Sequence, residues 1–230
     1  MAVNNWTKPK IHEALCTLYL RLNGYFTTGL IVHSPDWGNN YTEIDCLAVR
    51  HPNHIQPDRG IGPSPFLAPC DERIDLLICE VKSIPSEVAF NERLWSDPIV
   101  VEHVLQWAGI MSNNELPRII DQLRPILQEG LDVTHAQSGV LATGIRVRGL
   151  LCCPPATEVE LPHGWCLLGS EILRYVNVCF NPPARRDECS TRYDFNLWGS
   201  FLTPLVDYFK DPESNEAPSL EGLYNRLGAA

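Results

Sequence analysis

Charged residues interrupt two apolar runs in the first half of the chain. Asp45 lies within Thr42-Glu43-Ile44-Asp45-Cys46-Leu47-Ala48-Val49, and Glu80 and Lys82 lie in Leu76-Leu77-Ile78-Cys79-Glu80-Val81-Lys82. Two neighbouring carboxylates are ligands for a hard divalent cation, and an ammonium would stand next to them. Both runs are short and bounded by polar or proline-containing segments, which predicts strands buried on both faces rather than helices. A charge in such a strand is costly unless it is paired or binds a metal. Residues two apart on a strand share a face, so Glu80 and Lys82 project together while Val81 points into the opposite layer. If the two strands are neighbours, Asp45 stands beside Glu80.

The elements that must position these residues follow from periodicity. Thr7 and Pro9 mark a helix start; Ile11, Ala14, Leu15, Leu18 and Leu22 form one apolar helical face, and Asn23-Gly24 ends it. Glu13 falls roughly opposite that face, which on periodicity alone makes it a solvated glutamate. A strand is predicted over Tyr25 to His33, followed by a turn in which Pro35-Asp36 serves the backbone. Glu43 shares the Asp45 face, as a supporting group or as the solvent-side end of the strand. The long connection from Arg50 to Arg73 carries five prolines and reads as a surface loop, with a lid or contact surface as the functional alternative. Helices are predicted over Ile99 to Met111 and Leu116 to Leu127, and Gln106 in the first reads as a surface or interhelix glutamine. Ile145 to Cys153 alternates as a strand with Arg146 and Arg148 on a wetter face. Trp165 to Leu168 follows as a strand, and Ser170 is placed to cap a helix reaching Phe180.

In the last fifty residues Arg185, Arg186 and Arg192 stand near Tyr193, Phe195 and Trp198, a mixture that can bind a single nucleic-acid strand by charge and stacking. The preferred reading is a loop leading into an amphipathic helix from Phe195 to Phe209, followed by an acidic linker from Asp211 to Pro218. At 230 residues the chain fits one domain, or one domain with an appendage, and its composition is that of an ordinary globular protein. Polar Asn4, Asn5 and Lys8 replace the apolar core of a secretory signal, and no apolar run approaches membrane-spanning length. A cytoplasmic protein without a membrane partner is expected. Nine cysteines, several inside apolar patterns, argue for reduced thiols packed as small hydrophobes. A zinc cluster of Cys152, Cys153, His163 and Cys166 is the weaker alternative, because paired Cys-x-x-Cys spacing is missing. Nucleophile-elbow, phosphate-loop and dinucleotide motifs are also missing. The net charge of −10 is awkward for binding phosphates and would require a local basic patch or a partner.

Asp45 followed by Glu80-Val81-Lys82 at the end of an apolar strand resembles the signature of the PD-(D/E)XK, or restriction-endonuclease-like, nuclease superfamily. The order of elements across roughly the first two thirds of the chain is similar too. This resemblance implies an α/β fold, a three-layer core with a central mixed β-sheet flanked by helices. It implies a nuclease-like domain over 1–181 and a C-terminal helical extension over 182–230 packed on it. It further implies a metal-dependent endonuclease that hydrolyses phosphodiester bonds, in DNA before RNA, with Mg²⁺ or Mn²⁺ held by Asp45, Glu80 and the Val81 carbonyl. Lys82 would act on the attacking water, and Glu13, at a spacing many members share, would be an accessory ligand or water-positioning group. A homodimer, or a partner subunit that delivers substrate, fits such a role. Two alternatives stay open: a catalytically silent subunit of the same fold that binds a protein or nucleic acid, and a phosphoesterase acting on nucleotides.

Overall fold

The computed structural model describes residues 6–35, 38–55, 61–67, 72–128, 133–161, 165–182, 195–211 and 217–229. Helix α1 (Lys8–Leu22) opens the fold, with Pro9 in its first turn. Strands β1 (Phe26–His33), β2 (Asn40–Arg50) and β3 (Ile74–Val81) follow. Helices α2 (Glu92–Ser96) and α3 (Pro98–Ala108) are capped by the side chains of Asn91 and Asp97, which accept the N–H groups of Arg93 and Ile99. Gly109, at φ +66°, ends α3 in the left-handed conformation that glycine adopts without strain. Next come α4 (Leu116–Leu127), α5 (Val133–Ser138), β4 (Val140–Ala142), β5 (Ile145–Cys153), β6 (Cys166–Leu168) and α6 (Gly169–Phe180). Helices α7 (Thr203–Phe209) and α8 (Leu220–Leu227) complete the described chain.

The strands form one mixed sheet in the order β1-β2-β3-β5-β4, with β6 on the free side of β5 at its other end. The first three strands are antiparallel, β3 and β5 are parallel, and β4 returns antiparallel. Side-chain alternation gives the sheet two apolar faces. On one, Cys46, Ala48, Leu77, Cys79, Leu150 and Cys152 pack against α1, which α6 and α8 cover in turn, with α7 packed on both of those helices. On the other, Leu47, Leu76, Ile78 and Val147 pack against α2, α3 and α4. Gly149 in β5 lets α4 approach, since a Cβ there would lie 2.5 Å from Leu127 Cδ2. The chain is therefore mixed α/β, a central mixed sheet flanked by helices, and among the described residues no helix is long and apolar enough to cross a membrane.

Several expectations need correction. Arg146 and Arg148 do not mark a wet face. Both are buried, and with Arg50 they surround Asp75, itself inaccessible. Arg148 reaches Asp75 through Nε at 3.0 Å and through Nη2, Arg146 through Nε at 3.0 Å, and Tyr25 donates its hydroxyl at 2.5 Å. Burial pushes the Asp75 carboxyl up, and the arginines beside it more than reverse this, holding it below the ordinary range. The described part of the long connection, expected as a surface loop, is partly built into the core. Ser64 is buried, its N–H on Asn23 Oδ1 at 2.7 Å and its hydroxyl on Glu171 at 2.5 Å, while the Leu67 carbonyl accepts Arg148. Ser170 does not cap α6; extended Leu168 holds that position. The helix expected from Phe195 is a short 3-10 turn, Phe195–Trp198, parted from α7 by Gly199 at φ +85°. Asp36, Arg185, Arg186, Arg192, Tyr193 and His163 lie outside the described residues.

Candidate metal and phosphate site

The Glu-x-Lys spacing acts as strand geometry requires. Glu80 and Lys82 project to one side, and Lys82 Nζ donates to Glu80 Oε2 at 2.9 Å. The Lys82 N–H donates to the Cys152 carbonyl at 2.7 Å, which extends the β3–β5 pairing one residue past the strand and fixes the lysine's root. Glu80 is 3 % exposed and the Lys82 side chain 25 %, so the ammonium sits at the mouth and the carboxylate behind it.

Asp45 reaches the same place through a bulge. The β1–β2 register passes from Thr28↔Leu47 to Leu30↔Ile44, so Asp45 and Cys46 together oppose Gly29 alone. An extra residue of this kind bends a strand and redirects its side chains. The β2–β3 register ends at Cys46↔Cys79, one step short of Asp45 and Glu80. There Asp45 Oδ2 accepts the Val81 N–H at 2.7 Å, closing the gap between the parting strands with a side chain. Glu13, on α1, is half-buried rather than solvated, and lies near enough to Asp45 and Glu43 of β2 to feel their charges.

The electrostatics bind these groups into one cluster. Burial raises the Glu80 carboxyl to about 7; the Lys82 ammonium opposes the shift and Asp45 adds to it. Burial also raises Asp45, against the Val81 N–H and Lys82, with Glu43 reinforcing the rise. Glu13 is raised by burial first and then by the charges of Asp45 and Glu43. Glu43 itself is exposed within β2, opposite Ile31 of β1. One oxygen remains unserved: Glu80 Oε1 is buried without a hydrogen-bond partner. A buried orphan acceptor is costly and calls for an explanation, an unseen ion or water among them.

Oxygen donors of this kind suit a hard cation. Among the described residues, no three His, Cys, Asp or Glu side chains gather closely enough to hold a metal by themselves. That applies equally to Cys152, Cys153 and Cys166, and the described cysteines are free thiols. The chain matches no family model, no curated protein and no solved structure. Gln106 is exposed and donates to Glu102 Oε1 at 2.8 Å, a surface pair on α3.

Sequence reasoning passed over three residues bordering this cluster. His12 Nδ1 lies 2.8 Å from Ser83 Oγ, and His12 Nε2 lies 2.6 Å from the Tyr224 hydroxyl. The only sequence signal was adjacency, His12 to Glu13 and Ser83 to Lys82; nothing in the sequence pointed to Tyr224.

Proposed function

We propose that this chain is a metal-dependent nuclease with a restriction-endonuclease-like core, cutting phosphodiester bonds in DNA before RNA. The observation that carries this reading is the convergence of Asp45, from a strand bulge, with Glu80 and Lys82, from the end of the next strand, around a buried carboxylate oxygen that has no partner. The order of helix, three antiparallel strands, helices and a strand parallel to the third supports the same reading.

Asp45, Glu80 and the Val81 carbonyl are the groups to hold one or two Mg²⁺ or Mn²⁺ ions. Such sites need only one or two carboxylates, because waters and substrate phosphate fill the remaining positions. When bound, the ion supplies Lewis acidity and a more acidic water. The chain's own residues do the rest. As a ligand Glu80 would be in its deprotonated form, its proton released to solvent. Lys82, at the mouth, shifts from Glu80 toward a phosphate oxygen and stabilises charge developing there. Glu13, with its raised affinity for a proton, is placed to hold or accept one from the attacking water.

The net charge of −10 favours a second reading, a silent subunit of the same fold that binds a protein or nucleic-acid partner. End-labelled DNA and RNA oligonucleotides and free nucleotides, each incubated with Mg²⁺, Mn²⁺ or EDTA, separate the readings. Metal-dependent cutting of DNA, reduced at least about 100-fold in Asp45→Ala, Glu80→Ala and Lys82→Ala, is the expected result. Turnover of free nucleotides alone would indicate a phosphoesterase, and no turnover of any substrate the silent subunit.

A further inference from the structure

Helix α8 is eight residues long and far from the site in sequence, yet it touches the residue next to Glu13. Leu223 is fully buried in the core around α1, and Ser219 caps the helix by accepting the Gly222 N–H at 3.0 Å. The Tyr208 hydroxyl accepts the Ser219 N–H at 3.1 Å, tying α8 to α7. So anchored, α8 presents Tyr224 to His12. The two rings meet at 5.8 Å between centroids and 58° between planes, and Lys8 lies 5.4 Å over the tyrosine ring.

His12 is 1 % exposed and has a partner on each ring nitrogen. Burial, then the Lys8 charge, lowers it to about 4, so it is a neutral imidazole under ordinary conditions. A neutral imidazole has one donor and one acceptor nitrogen, so one of its hydroxyl partners donates to it and the other accepts. The contacts form one unbroken chain: Tyr224 on α8, His12 on α1, Ser83 immediately after Lys82.

Lys82 leaves the sheet at its last backbone bond, to Cys152. The bond between Ser83 and His12 is the next contact that fixes the chain's exit, and thereby the direction of the lysine. We propose that Tyr224 acts through His12 and Ser83 to position the Lys82–Glu80 pair, making the C-terminal helix a supporting part of the site; its consequence for catalysis rests on the nuclease reading above. His12, Ser83 and Tyr224 are positioning residues, and none touches the carboxylates.

The test uses full-length protein with ¹⁵N-labelled lysine and histidine, the Lys82 ammonium signal being assigned through Lys82→Arg. Tyr224→Phe keeps the ring and removes one hydroxyl; Ser83→Ala removes the other. Each is expected to move the Lys82 signal, and to lower kcat on DNA about tenfold with KM within about twofold. A Lys82 signal that stays in place in Tyr224→Phe while the His12 ring signals move would overturn the inference, as would a moved signal with unchanged kcat. Wild-type protein that cuts nothing would remove the nuclease reading alone, because the Lys82 signal reports the positioning without turnover.

Discussion

Glu80 has one carboxylate oxygen on Lys82 and the other without a partner, both inside protein. Its affinity for a proton, raised to about 7 by burial, is thus higher in the folded than in the unfolded chain, where an ordinary glutamate titrates near 4.5. The sign follows from linkage. The folded state holds the proton more tightly, so this stabilisation is full below about 4.5 and is lost as pH rises through about 7. Asp45 and Glu13 shift in the same direction, whereas Asp75 is lowered and acts at more acidic pH. In urea melts in EDTA, Glu80 is therefore expected to contribute a fall in stability between pH 4.5 and 7 of at most about 3 kcal/mol, opposed over much of that range by a rise from His12, which is lowered to about 4 in the folded chain. Glu80→Gln removes the Glu80 contribution, so that relative to wild type its stability rises with pH across that range, and Mn²⁺ stabilises wild-type protein more at pH 8 than at pH 5.5. An unchanged slope in Glu80→Gln would show that the buried carboxyl titrates normally.

At the scale of elements, Asp45, Glu80 and Lys82 were legible because apolar strands tolerate charge only for a reason, and because a two-residue period says which charges share a face. The helices from 8, 98, 116 and 169 were legible from apolar spacing and turn residues. The Asp75 network was not. Alternation in Arg146-Val147-Arg148 marks two faces without saying which is wet. The counter-charge lies on β3, where the pairings Arg50↔Asp75 and Asp75↔Arg146 place it between two arginine-bearing strands. Arg50 stacks at 4.7 Å on Tyr25, and Arg148 at 4.7 Å on Trp165, which helps these cations remain inside. Asp75 is the counter-charge these three buried arginines share, and removing it takes that charge away from all of them. Asp75→Asn is expected to cost about 3–5 kcal/mol in urea-induced unfolding, far more than an exposed substitution. A loss under about 1 kcal/mol would mean that water reaches the network.

On the scale of the whole molecule, the tail is the part that periodicity read least well. The segment 195–209 has helical apolar spacing, but Gly199 and Pro204 split it into a turn and a short helix. Helix α8 follows an acidic stretch and has one fully buried residue, Leu223, too little pattern to stand out in sequence. It packs on α7 and α1, surfaces that exist only once the chain has folded. The net charge of −10 is likewise a property of the whole chain, and it demands that phosphate contacts be local or supplied by a second copy or a partner subunit. The most direct measurement is nicking of supercoiled plasmid by purified wild-type and Glu80→Gln protein, each with Mn²⁺ and with EDTA. A metal-dependent site at Asp45, Glu80 and Lys82 predicts nicking by wild-type protein with Mn²⁺ and at least about 100-fold less in the other three conditions. Equal nicking by Glu80→Gln, or nicking that survives EDTA, would contradict it.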